Sequence, residues 1–168
     1  TWEAAEKFLK EKSEAFVSKK IMGKKTDEII MPGGHLTVAQ LTAMLNTIPL
    51  EITFVDEDNI NRFFNEGPKD FKRPGMAIDR EVFSCHPPKV EQQVRHIIGE
   101  FRKGTLDKVP IWMEKNGKTM LVTYMAVRDA AGTYLGTMEL VQDMGFAKEH
   151  FLSDVKAKEA ALRAGMED

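Results

Sequence analysis

The chain has 168 residues, 24 of them basic and 26 acidic, for a formal net charge of −2 at neutral pH. Its 42% hydrophobic and 30% charged residues are those of an ordinary folded domain and exclude disorder along the whole chain. The absence of a basic excess argues against a nucleic-acid partner, and the single cysteine excludes a disulfide framework and multi-cysteine zinc sites.

No apolar run approaches the roughly eighteen residues of a membrane span, so no membrane partner is expected. With no basic-then-apolar leader, a cytoplasmic location is expected. Thr1 stands where a starting methionine would, from which a fragment of a larger protein is expected. Ten Phe and ten Met against two Tyr and two Trp suit an adaptable core or an apolar pocket.

In residues 1–20, Trp2, Ala5, Phe8, Leu9 and Phe16 recur at roughly helical spacing and predict an amphipathic helix. Met31-Pro32-Gly33-Gly34 breaks the chain, so 1–34 reads as a terminal helix and linker. Thr37 is the expected N-cap of a helix whose apolar side carries Leu41, Met44, Leu45 and Ile48 and which Pro49 ends. Leu50–Val55 predicts a strand, Asp56-Glu57-Asp58-Asn59 a turn, and Ile60–Phe64 the returning arm. That acidic turn lacks the glycine and terminal glutamate of a calcium loop.

Residues 67–88 hold Pro68, Pro74, Pro87 and Pro88 and predict an irregular loop, where sites are commonly built. Val90, Val94, Ile97, Ile98 and Phe101 then form one apolar helix face, ending near Gly104. Three strands follow, at about Val109–Lys115, Lys118–Val127 and Tyr134–Gln142. Asn116-Gly117 predicts a type I′ hairpin turn between the first two, and Asp129–Gly132 turns the chain again. Residues 146–168 return to amphipathic helix. The order predicts an α+β fold with a five-stranded antiparallel sheet.

Cys85-His86 is the one place where two soft ligands meet, which fits a metal or haem contact. Adjacent residues diverge in either regular element, and the other reading is a turn that Pro87-Pro88 fixes at the start of the next helix. His96 lies about 160° around the helix axis from Ile98 and is expected in solvent, as is His150. Glu139 shares a strand face with Leu135, Thr137 and Val141. It either points inward and needs a partner or lies on a wet rim; Thr123 and Tyr124 are its expected neighbours. No nucleophile elbow, phosphate loop or dinucleotide fingerprint occurs, and no enzymatic activity is expected.

Several separated segments together resemble one family. They are Asn46 to Asp56, Cys85-His86-Pro87-Pro88-Lys89, Ala126-Val127-Arg128-Asp129, and Tyr134 to Glu139 running on to Val141-Gln142-Asp143. Over roughly 35–145 they look like the PAS module of the domain-of-unknown-function 438 family, although Gly145 stands where PAS domains often continue Asp-Ile-Thr. The resemblance implies a PAS-like five-stranded antiparallel sheet with a helical crossing on one face and flanking N- and C-terminal helices.

It also implies a sensory or regulatory role and an upstream hemerythrin-like domain in the full-length protein, while the apolar faces of the terminal helices at 1–20 and 146–165 need a partner surface, from which a homodimer is expected. In that reading a small molecule or cofactor sits in a pocket to which Phe54, Val94, Ile97, Tyr124 and Glu139 contribute, with Cys85 and His86 as possible contacts. Haem and flavin are both open, with no specific motif for either. The alternative is a ligand-free interaction or dimerisation module that docks the upstream domain.

Overall fold

The computed structural model describes Lys7 and residues 27–67, 69–71, 75–85 and 87–164. The helix predicted over 1–20 therefore lies outside the described residues except for Lys7, which is helical. His86 also lies outside them. The chain divides into two compact units, Thr1–Leu45 and Asn46–Asp168.

In the first unit the segment expected to be a linker is a hairpin. Strands β1 (Glu28–Met31) and β2 (Gly34–Thr37) pair antiparallel, with Ile30 opposite His35 and Met31 opposite Gly34. The physical reason is that Pro32-Gly33, which cannot continue a helix, suits the centre of a tight turn equally well. Helix α1 (Val38–Thr47) follows, and its start is the expected one. The Gln40 N–H donates to Thr37 Oγ1 (3.1 Å) and the Thr37 N–H to Gln40 Oε1 (2.9 Å), a reciprocal capping box.

The second unit is built on β3 (Glu51–Asp56), β4 (Asn61–Phe64), β5 (Lys108–Lys115), β6 (Lys118–Arg128) and β7 (Tyr134–Asp143). They form one antiparallel sheet in the order β4-β3-β7-β6-β5. Between β4 and β5 lie two short 3₁₀ turns, Gly75–Ala77 and Val82–Cys85, and helix α2 (Pro88–Lys103). Helix α3 (Gly145–Ala164) ends the described chain. The expected α+β architecture is the observed one.

Helix α2 buries four of the five predicted stripe residues, Val94, Ile97, Ile98 and Phe101, whereas Val90, in its first turn, is exposed. Val94 and Ile98 pack with Val55, Val82 and Phe83 in one cluster. A second cluster joins Met120, Val122 and Val141, with Phe71, Ile111, Met113 and Tyr124 against it. Each such buried side chain contributes about 1.5–3 kcal/mol. Arginines fasten the helix end to its surroundings: Arg128 donates to the Phe101 carbonyl (2.6 Å), and Arg102 to the Glu57 carbonyl (2.7 Å).

The acidic turn after β3 is a hairpin turn, as expected. Asp56 Oδ1 accepts from the N–H groups of Asp58 (3.0 Å) and Ile60 (2.9 Å), an Asx turn. Burial acts to raise the Asp56 carboxyl, but the hydrogen bonds from Ile60, Arg62 and Asp58 outweigh it and hold the pKa below its ordinary value. Between β5 and β6, Asn116 (φ 52°) and Gly117 (φ 77°) both take positive φ, as a type I′ turn requires.

Gly136 sets how closely β3 and β7 approach. It has φ 153°, and a Cβ there would lie 2.2 Å from the Val55 carbonyl oxygen and 2.8 Å from the Phe54 ring. Gly136→Ala is expected to cost about 2–4 kcal/mol through backbone displacement. Urea denaturation checks this by a lower midpoint at unchanged slope.

Candidate functional site

Strand pairing decides which side chains face α2. Val55 packs with Val94 and Ile98, so alternation puts Glu51, Thr53 and Val55 on the α2 side of β3 and turns Ile52 and Phe54 to the other side. Glu51 pairs with Val141, Thr53 with Glu139 and Val55 with Thr137. Across β7, Val141 pairs with Val122 and Glu139 with Tyr124. The face toward the helix therefore mixes Val55, Val122 and Val141 with a polar set of Glu51, Thr53, Thr137, Glu139 and Tyr124. Thr137 Oγ1 lies 2.7 Å from the Tyr134 hydroxyl.

At the end of this face, where β3 begins and β7 finishes, is a pocket of about 370 Å³. Glu51, Met120 and Val141 line it from the sheet, and residues 46–50, 65–67, 69 and 70 line it from the flanking segments. Asn65 builds the rim by imitating a strand residue. Its Oδ1 accepts from the Ile52 N–H (2.8 Å) and its Nδ2 donates to the Leu50 carbonyl (2.8 Å). Glu51 Oε1 accepts from the N–H groups of Asp70 (2.6 Å) and Phe71 (3.3 Å), which ties the following loop over the sheet end.

Lys118 lines the same pocket. Its Nζ is 3.0 Å from both carboxylate oxygens of Asp70 and 3.3 Å from Asp143 Oδ2. Asp70 first, then Asp143, raises the Lys118 pKa. Asp143 Oδ1 accepts from the Gly145 N–H (2.8 Å), the first residue of α3. That hydrogen bond, aided by Lys118 and opposed by partial burial, lowers the Asp143 pKa. A contiguous polar path thus runs from buried Glu51 through Asp70, Lys118 and Asp143 to the start of α3. A second groove of about 740 Å³ lies along that start and shares Pro49, Lys118 and Asp143 with the first.

The residues singled out from sequence fall in different places. Tyr124 and Glu139 are cross-strand partners on the α2-facing side, both half-buried. Val94 and Ile97 are buried on α2. Phe54 is on the opposite face, its ring against Gly136. None of these five lines the pocket. Cys85 ends the 3₁₀ turn Val82–Cys85. His96 and His150 are exposed, as expected. Sequence reasoning missed Glu51, Asn65, Asp70, Lys118 and Asp143. The one available signal was the alternation of Glu51 and Thr53 with Ile52 and Phe54. Among the described residues no three His, Cys, Asp or Glu side chains are grouped as a metal site, and no helix is long and apolar enough to cross a membrane.

A family model described as a PAS domain matches residues 41–145. A C-terminal domain from Streptococcus mutans is similar at 39% identity and a TM-score of 0.70, over 75% of this chain and 98% of that one. The PAS domain of a Colwellia psychrerythraea protein is similar at 13% identity and a TM-score of 0.48, over 64% of this chain and 97% of that one. A sensory box sensor histidine kinase from Vibrio cholerae is similar at 11% identity and a TM-score of 0.45, over 79% of this chain and 97% of that one. No functionally curated protein matches the chain.

The lowered Asp143 pKa has a definite sign in stability. A carboxyl depressed in the folded state contributes stability above its unfolded pKa of about 3.9, and that contribution is lost as pH falls through the folded value. Asp143→Asn is expected to flatten the decline of stability with acidity below about pH 4, read from denaturation midpoints across that range.

Proposed function

Because this chain belongs to the PAS domain family, we propose that it is a non-catalytic sensory module. It holds a small molecule on the α2-facing side of its sheet and passes the resulting change to α3. The observation that carries this reading is the partly polar sheet face that ends in a pocket whose lining residue Asp143 accepts from the first residue of α3. Ligand pockets commonly fall in the range of about 300–1,000 Å³ with a few convergent polar groups. A sensor further requires that the ligand favour one of two arrangements of the output element. The Lys118 bridge supplies such an element, because any displacement of Asp70 by a ligand acts on the same ammonium that holds Asp143.

A second reading, an interaction or homodimerisation module, is favoured by α3. Its Phe146 and Phe151 are 74% and 65% exposed, and Leu152, Val155 and Leu162 are exposed with them. Apolar side chains at this spacing suit burial against another helical surface, such as a second copy or a hemerythrin-like domain of the kind the family resemblance implies.

The two readings separate in one preparation. The purified chain is examined by absorption and by mass under native and denaturing conditions, and amide exchange is followed before and after any bound molecule is stripped. The sensor reading expects a native mass above that of the bare chain, or a haem or flavin band. It also expects exchange in residues 145–148 to change on stripping. A colourless protein of bare-chain mass, or one with two chains and nothing else, removes the ligand and leaves the interaction module.

A further inference from the structure

Two side chains on the α2-facing side of β3 retain hydrogen-bonding capacity that no described residue uses. Glu51 is 7% exposed and Thr53 6%. Glu51 satisfies Oε1 with the backbone N–H groups of Asp70 and Phe71. Its Oε2 and the Thr53 hydroxyl have no hydrogen-bond partner among the described residues. Buried polar atoms in folded proteins are nearly always paired, by protein, water or a bound molecule. Glu51 lines the pocket at the end of the sheet, and Thr53 lies behind that lining. Thr53 is two residues on along the same strand face, about 6.6 Å along the backbone, so a group with several donors seated at Glu51 is the one that can extend to the Thr53 hydroxyl.

The charge and lining of the pocket narrow what that group is. Among the described residues its wall carries four acids, Glu51, Glu66, Asp70 and Asp143, against Lys69 and Lys118. Lys118 is held by two of those acids, and the Lys69 ammonium lies 4.7 Å over the Phe64 ring. A ligand carboxylate at Glu51 meets like charge, whereas an ammonium makes charge-assisted hydrogen bonds with its three donors. Ile48, Leu50, Met120 and Val141 offer hydrocarbon to the rest of the molecule. We propose that this end of the sheet binds a compact organic cation, a primary ammonium on a short hydrocarbon body, with Glu51 Oε2 and Thr53 Oγ1 as its acceptors. The assignment rests on the reading of the chain as a ligand-binding module.

The test titrates the isotope-labelled full chain with n-butylammonium chloride, and in parallel with n-butanol, sodium butyrate and potassium chloride at matched ionic strength. The signals read are the amides of Asp70 and Phe71, which donate to Glu51. A saturable shift with butylammonium alone is expected, weakened tenfold or more in Glu51→Gln and weakened in the near-isosteric Thr53→Val. The second variant decides if the first loses its dispersed spectrum. Equal saturation by butanol or butyrate overturns the proposal, as does an undiminished response in a folded Glu51→Gln. Silence toward every probe also overturns it and leaves an internal water as the partner of the two oxygens. If the probes are silent while the native mass carries a neutral or acidic molecule, only the cationic assignment falls. If the native mass is that of the bare chain as well, the ligand-binding reading falls with it.

Discussion

The central position of β7 is the constraint from which the rest of the second unit follows. It pairs with β3 on one side and β6 on the other, so its pleat sets the phase of both neighbours. A slip of one residue exchanges the two faces of a strand. Here that exchange would turn Met138 and Leu140 toward α2 and carry Thr137 and Glu139 away. The tight approach of Gly136 to the Val55 carbonyl opposes any such slip, because a neighbour with a side chain cannot take that place. The valines that bury α2 and the polar residues that share its face are two products of one register.

The polar end of the sheet is organised by backbone mimicry and shared charge. Asn65 extends the pairing of β3 with a side chain, which frees the chain after it to cross the strand ends. Glu51 then anchors that crossing through backbone N–H groups rather than through another side chain. Lys118 joins the crossing to the strand that leads into α3. Surface ion pairs contribute little to stability individually, and the importance of this one lies in the segments it connects. A change in the loop over Glu51 reaches α3 through one ammonium group and two carboxylates.

Much of this architecture was legible because its signals are local. Asn116-Gly117 makes the turn its residue types favour, Thr37 and Gln40 cap α1, and the apolar stripe of α2 is buried as its spacing indicates. The hairpin at Met31–Gly34 was misread because proline and glycine mark an interruption without saying what lies on either side of it. Phe54 is expected among the pocket residues from strand alternation, which gives two faces without saying which of them meets α2. The phase of β3 instead follows from its pairing with β7, and both faces of the strand carry residues suited to burial. The pocket was illegible for a related reason: Glu51, Asp70, Lys118 and Asp143 are far apart in sequence and have no common spacing, so only the folded register brings them together. Of the two neighbours expected for Glu139, Tyr124 stands opposite it because a meander places consecutive strands side by side, whereas Thr123 pairs with Leu140 and belongs to the other face.

The strand at the middle of the sheet is also the last of the five in sequence order. During synthesis β3 and β4, then α2, then β5 and β6 leave the ribosome before the segment that joins them exists. Until then each hairpin has an open edge and α2 has no complete surface to cover. Edges of that kind invite pairing with other chains, and closing β3 against β7 requires contact across nearly the whole unit, which slows folding. The domain is therefore committed late and all at once: its interior, its polar pocket and the take-off of α3 come into being with the same final stretch of polypeptide.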